Sequence, residues 1–306
     1  MNTPAVFTLE NLRFWKDSAP LQLAVLGDPV AHSASPPMHM AALGACGLSH
    51  TYGRIHIRPE ELPEAISLLT ESAFIGVNLT IPHKTAILPL LNTVDPHAKV
   101  MGAVNTVRFK EGRLTGYNTD GKGLTRAIEE DFGVKLGALR VLILGAGGGA
   151  GRAVALQCAL EGCPKITLVN RTREKAEALA HEIASLAGLP QPPPIITALG
   201  TDSVTLSAHM EATDIILQCS SLGMKEGDPS PLPLRFLRSE HLVYDTIYSR
   251  PTQLLADAHA AGARASNGLS MLLHQGALAF EIWFQREAPV DAMRDALRLF
   301  RAAASR

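Results

Sequence analysis

The segment Leu139–Leu144 runs without interruption into Gly145-Ala146-Gly147-Gly148-Gly149-Ala150-Gly151. A short apolar run of that kind predicts a buried strand. The glycines after it permit a tight turn, and a long helix is expected from about Arg152. Strand, glycine turn and helix together make Gly145-x-Gly147-x-x-Ala150 a phosphate-binding turn. Its backbone can approach a pyrophosphate closely, and the helix N-terminus supplies unpaired N–H groups and a positive dipole. Further strands are expected at Lys165–Val169, Ile195–Ala198, Asp214–Gln218 and Leu242–Thr246, with helical patterns between them. Strands alternating with helices imply a parallel sheet covered on both faces.

The end of the second of these strands bears on the nucleotide. NAD sites place a carboxylate there to accept from the ribose hydroxyls. This chain reads Asn170-Arg171-Thr172-Arg173, with Lys175 soon after. A guanidinium matches a 2′-phosphate, which favours NADP over NAD or S-adenosylmethionine. Solvated surface charge is the alternative reading of Arg171 and Arg173.

Upstream of residue 121 the pattern differs. A short amphipathic helix is expected within the first twenty residues, around Glu10–Trp15, and a buried strand over Leu21–Gly27. A second helix starts near Pro36, with Ser35 as its N-cap. Two hydroxyls, Ser33 and Ser35, at this strand–loop–helix junction suit a small carboxylate; for Ser35 alone, a plain cap is the simpler reading. Ala73–Ile81 reads as a strand with Asn78 and Thr80 on one side. Lys84 follows at the start of a helix, either as a donor into a cleft or as surface charge. Ala103–Phe109 and Arg113–Asn118 form a hairpin about Glu111, which sets Asn105 opposite Tyr117 and near Asn118-Thr119-Asp120-Gly121. That run is also an ordinary Asn/Asp/Gly turn. Lys84, Asn105 and Asp120 beside a nucleotide domain point to alcohol–carbonyl redox chemistry, with Lys84 as acid/base and Asp120 as its orienting partner. A lysine starts near pKa 10.4 and a neighbouring carboxylate favours its charged form, so the proton belongs to the pair rather than to either group.

Composition removes other classes of function. With 28 Lys+Arg against 29 Asp+Glu and 5% aromatic residues, the chain has neither the basic surplus nor the stacking platform of a nucleic-acid binder. The longest charge-free stretch, Pro29–Gly53, contains three prolines and is no membrane span. Four cysteines in apolar surroundings read as buried thiols in a reducing compartment. No secretory signal is visible, so a cytoplasmic location is expected. The eleven histidines form no HxH or HExxH pattern, and no metal site is expected. At 306 residues, two domains are expected.

Taken in order, these segments resemble shikimate dehydrogenase. The match runs through Ser33-Ala34-Ser35-Pro36, Asn78-Leu79-Thr80-Ile81-Pro82-His83-Lys84, Gly102-Ala103-Val104-Asn105-Thr106 and Asn118-Thr119-Asp120-Gly121. It continues through the glycine turn, Asn170-Arg171-Thr172, Tyr248 and Asn267–Gln275, and covers about residues 22–290. The resemblance implies an α/β fold: an N-terminal substrate domain, residues 1–120, completed by C-terminal helices over 268–306, with a Rossmann-like doubly wound NADP domain, residues 121–267. It implies NADP-dependent interconversion of 3-dehydroshikimate and shikimate, on the route to chorismate and aromatic amino acids, by a monomer or homodimer. It places the substrate carboxylate at Ser33 and Ser35 with Tyr248 assisting, the ring hydroxyls at Asn78, Thr80, Asn105, Asp120 and Gln275, and the catalytic group at Lys84. Gly145, Ala146, Gly147, Gly148 and Gly149 would cradle the pyrophosphate. Asn170, Arg171, Thr172, Arg173 and Lys175 would take the 2′-phosphate, and Thr246 and Gly268 would flank the nicotinamide. The glycine turn is one residue longer than the family's usual form, and Ser270 stands where glycine is commoner. An NAD-using quinate/shikimate dehydrogenase is the rival within the class; a nonenzymatic NADP- or shikimate-responsive regulator is the rival outside it.

Overall fold

The computed structural model describes residues 6–15, 19–72 and 74–304. The chain divides into two units, Met1–Asp120 with Leu273–Arg306, and Gly121–Leu272. Both are α/β, as expected.

The first unit holds strands β1 (Val6–Thr8), β2 (Leu23–Gly27), β3 (Tyr52–His56), β4 (Gly76–Leu79), β5 (Thr93–Val94), β6 (Thr106–Lys110) and β7 (Arg113–Tyr117). They form one sheet in the order β1-β3-β2-β4-β6-β7-β5, with β6 alone running against the rest. Alternation along the strands sorts the two faces. Ala24, Leu26, Ile55, Val77, Leu79 and Val107 enter an apolar core with Leu62, Ile66 and Leu69 of the helix Leu62–Glu71. A single cross-strand row, Arg54–Val25–Asn78–Thr106–Tyr117, belongs to the opposite face and carries the polar groups. The helices Ser35–Ala45 and Val290–Ala304 pack on each other. Trp283, near the end of the helix Leu269–Phe284, donates its indole N–H to the Val107 carbonyl at 3.0 Å.

His39 stacks on Tyr52, with ring centroids 4.4 Å apart and planes 12° from parallel. Burial lowers its pKa to about 3, and burial also lowers those of His83 and His241. Such a histidine stays neutral when folded but binds a proton near pH 6.5 when unfolded. Its contribution is therefore whole above pH 6.5 and is lost as pH falls toward 3. Between pH 6.5 and 5, His39 alone is expected to remove about 2 kcal/mol of stability. Urea unfolding at the two pH values should show a smaller acid loss in His39→Phe than in wild type; an equal loss would refute the assignment.

Several local expectations shift. Among the described residues of the N-terminal segment β1 precedes the helix, which is only Leu9–Leu12. The fourth strand is shorter than Ala73–Ile81: it ends at Leu79, so Thr80 lies beyond it, and Ala73 falls outside the described residues. Ala34, not Ser35, is the N-cap of the helix Ser35–Ala45. Ser35 is its first helical residue and donates its backbone N–H to Ser33 Oγ at 3.3 Å. The hairpin closes through Glu111 and Gly112, whose φ values of 52° and 70° give the two-residue turn that matches strand twist. Because the turn is centred between those two residues rather than on Glu111, Thr106 faces Tyr117 and Asn105 sits one position further along. Cys158, Cys163 and Cys219 are buried thiols, whereas Cys46, at the C-cap of its helix, is partly exposed.

The second unit holds β8 (Arg140–Leu144), β9 (Lys165–Val169), β10 (Ile195–Leu199), β11 (Ile215–Gln218), β12 (Leu242–Asp245) and β13 (Arg264–Asn267). All are parallel, in the order β10-β9-β8-β11-β12-β13. Counted from β8 this is 3-2-1-4-5-6, the doubly wound dinucleotide order, which reverses direction between β8 and β11. The sixth strand escapes a sequence reading because Arg264-Ala265-Ser266-Asn267 has no apolar run, and it lies at the sheet edge. The helix after the glycine turn begins at Gly149, three residues before Arg152. Among the described residues, no helix is long and apolar enough to cross a membrane.

Candidate active site

Within the first unit the hairpin end gathers a polar cluster. Lys84, in the short helix His83–Ala86, places Nζ 2.6 Å from Asp120 Oδ2. Asp120 opens the helix Asp120–Phe132, and its backbone N–H is capped by Asn118 Oδ1 at 3.0 Å. Asn105 fixes the carboxylate from the other side: Nδ2 donates to Asp120 Oδ1 at 2.9 Å and to Thr119 Oγ1 at 2.9 Å, while Oδ1 accepts from the Thr119 N–H at 2.9 Å. Gln275 Oε1 lies 3.4 Å from the same amide. Side-chain exposures of 34% for Lys84 and 18% for Asp120 leave the ion pair reachable by a small molecule. Asn105, at 2%, acts as a buried brace.

Asn78 is tied to this cluster and to the serine corner. Its Nδ2 donates to the Asn105 carbonyl at 3.2 Å and to Thr106 Oγ1 at 3.1 Å, and its Oδ1 accepts from the Tyr52 hydroxyl at 2.7 Å. Tyr52 lies beside Ser35, and burial pushes its phenol well above the ordinary value. Thr80 donates its N–H to the Leu26 carbonyl at 3.0 Å and rests its methyl group in space that only Gly27 leaves open. Tyr52 and Thr106 escape the sequence reading: β3 carries no long apolar run, and Thr106 passes as an ordinary strand residue. The alternation of Tyr52, Arg54 and His56 is the one signal that could reveal Tyr52.

Within the second unit a cavity of about 750 Å³ opens at the carboxyl ends of β8, β9 and β11. This is where strand order reverses and where open α/β sheets take ligands. Gly145, Gly147, Gly148, Asn170, Arg171, Thr172 and Lys175 line it. Gly145 has φ 83°, and a Cβ there would lie 2.6 Å from the Ser220 nitrogen. One on Gly147 would lie 2.7 Å from Asn170 Nδ2. Asn170 orders its own turn by donating to the Thr172 carbonyl at 2.8 Å. Arg171 and Lys175 enter no ion pair among the described residues, whereas Arg173 pairs with Glu177 at 2.9 Å and does not line the cavity.

Other expected nucleotide contacts lie elsewhere in this unit. Ala146 is fully buried, and Gly149 sits exposed in the first helical turn. Thr246 and Gly268 follow β12 and β13 and pack on each other, since a Cβ on Gly268 would lie 2.2 Å from the Thr246 oxygen. The close helix–strand contact is made by Gly151, not Ala150. A Cβ on Gly151 would lie 2.2 Å from the Gly145 oxygen, while Ala150 is exposed. The turn thus reads Gly145-x-Gly147-x-x-x-Gly151, and its extra residue displaces the third small position by one. Thr201 and Ser230 also line the cavity and carry no motif. Tyr248 is half-buried, and burial raises its phenol pKa.

Three family models match: the shikimate dehydrogenase substrate binding domain over residues 25–107, shikimate/quinate 5-dehydrogenase over 126–224, and the shikimate 5′-dehydrogenase C-terminal domain over 268–298. The chain is 44% identical over 285 residues to the shikimate dehydrogenase (NADP(+)) of Moorella thermoacetica, covering 92% of this chain and 94% of that protein. It is similar to the shikimate 5-dehydrogenase of Thermus thermophilus solved in complex with NADP(H) and shikimate, with TM-score 0.79 and 38% identity over 92% of this chain and 99% of that one. It is also similar to the quinate dehydrogenase of Corynebacterium glutamicum in complex with NAD, with TM-score 0.80 and 30% identity over 91% of this chain and 99% of that one. Likeness at this identity over nine-tenths of both chains is more than a shared fold, and the chain belongs to the shikimate dehydrogenase family.

Proposed function

We propose that this chain is an NADP-dependent shikimate dehydrogenase, interconverting 3-dehydroshikimate and shikimate. The observation that carries the reading is the Lys84–Asp120 pair at 2.6 Å, braced by Asn105. The glycine turn and its cavity fit the dinucleotide: side chains at Gly145 or Gly147 would fill the cradle, and Arg171 and Lys175 offer positive charge beside it. Gly145, Gly147 and Gly148 would hold the pyrophosphate, and Arg171, Lys175 and Thr172 the 2′-phosphate. The nicotinamide, when bound, supplies or accepts the hydride. The chain's own groups handle the rest. The Lys84 ammonium donates a proton to the oxygen at C3 in reduction and recovers it in oxidation. Asp120 aims that ammonium and accepts from the neighbouring ring hydroxyl. Asn78, Thr80, Asn105 and Gln275 orient the ring. Ser33 and Ser35 receive the carboxylate.

Initial rates of NADP reduction at 340 nm with shikimate, compared with NAD under the same conditions, test the reading. A strong rate favouring NADP supports it. A rate favouring NAD, with quinate also accepted, moves the assignment to the rival dehydrogenase, and no rate from protein that binds NADP moves it to a regulator. Arg171→Ala is expected to raise the NADP KM about 10-fold with little change in the NAD KM, the loss of one charge-assisted phosphate contact. Equal effects on both nucleotides would remove Arg171 from the 2′-phosphate site.

A further inference from the structure

Arg54 lies in the middle of β3 and is only 2% exposed. Withdrawing a guanidinium from water is expensive, and buried arginines are ordinarily paired with a carboxylate. Arg54 has no such partner among the described residues. Its Nε and Nη2 both donate to one neutral atom, the Ser33 carbonyl oxygen, at 3.1 and 2.5 Å. The missing negative charge is a property of the fold, because the sheet row Arg54–Val25–Asn78 sets this cation on the face that carries Asn78. Ser33 is also the residue whose hydroxyl accepts the Ser35 N–H at 3.3 Å. One side of the Ser33 turn is therefore gripped by a cation, while its two hydroxyls are the groups offered to an anion.

We propose that Arg54 is the counter-charge for the substrate carboxylate, making the Ser33–Ser35 corner select an anion over a neutral molecule of the same shape. The proposal rests on the reading that this corner holds the carboxylate. Two neutral hydroxyls give the bound group direction but no sign. A fixed positive charge bonded to the same turn, shielded from water, stabilises an anion far more than a solvated one does. A bound carboxylate would also relieve the unbalanced charge, so the two burials support each other. Arg54 acts without entering the reaction, and its effect belongs in KM rather than kcat.

The test compares shikimate with its methyl ester, which keeps the ring and hydroxyls but loses the charge. In wild type the acid should exceed the ester in kcat/KM by about 100-fold. In Arg54→Met the shikimate KM should rise about 30-fold, with kcat and the ester KM each changed less than about 3-fold, so the discrimination largely disappears. Arg54→Lys, which keeps the charge, should retain most of it. If Arg54→Met is not obtained folded, judged by loss of the wild-type thermal unfolding transition, Arg54→Gln and Arg54→Lys are compared by the same ratio. Acid and ester weakened by one common factor would show Arg54 to be a prop for the Ser33 turn and overturn the proposal, as would an unchanged shikimate KM. A wild-type protein that oxidises neither compound would overturn the shikimate reading, and this proposal with it.

Discussion

Lys84→Ala is expected to reduce kcat for shikimate oxidation by about 10³-fold while leaving the NADP KM within about 2-fold. The size follows from what is removed. Lys84 Nζ is held 2.6 Å from Asp120, and truncation to a methyl group takes away both the group that receives the hydroxyl proton in oxidation and the charge that would stabilise a developing alkoxide. Nucleotide affinity is spared because the glycine turn, Arg171 and Lys175 belong to the other unit. Asp120→Asn should be milder, near about 10²-fold, since the amide still accepts from Lys84 but no longer offers a charge. The two losses should not add, because the residues act as one unit. Single-turnover kinetics with both reactants saturating is the measurement. A Lys84→Ala enzyme retaining roughly a tenth of the wild-type rate would show that another group moves the proton.

Gly151→Val is expected to abolish NADP binding and to destabilise the protein by about 3 kcal/mol, whereas Ala150→Val should do neither. The distinction is one of contact. A Cβ at Gly151 would lie 2.2 Å from the Gly145 oxygen and 2.8 Å from the Ala146 Cα. Both are backbone atoms and cannot step aside as a flexible side chain can. Relief requires lifting the helix Gly149–Leu160 off β8, which carries the turn that frames the cavity out of position. Ala150 is exposed and its added methyl groups meet solvent. Nucleotide titration by fluorescence together with thermal unfolding reads both effects. Loss of binding in Ala150→Val with Gly151→Val unaffected would restore the shorter register.

That register shows where sequence reading stops. The glycine-rich run announces a phosphate turn, because no other residue type permits such a close backbone. Which of its small residues touches the strand depends on where the helix begins, and helix onset is settled by packing. The hairpin behaves alike: Glu111 and Gly112 mark the turn, but a half-residue difference in its centre moves Asn105 by one position. The side-chain bonds of Asn105 to Thr119 and Asp120 come from the closed hairpin, not from spacing.

The order of motifs, the alternation of strands with helices, and the guanidinium after the second nucleotide strand are written locally, in periodicity and residue type. They determined the α/β class, the family resemblance and the preference for NADP. Tertiary structure decided which polar groups share a face. Tyr52, Arg54, Asn78 and Thr106 come from strands far apart along the chain, and only the register β3-β2-β4-β6 brings them together. It also decided that Arg54 is buried without a carboxylate partner among the described residues. Charge is a property of the residue, but compensation is a property of what the fold puts beside it, and no linear spacing encodes that.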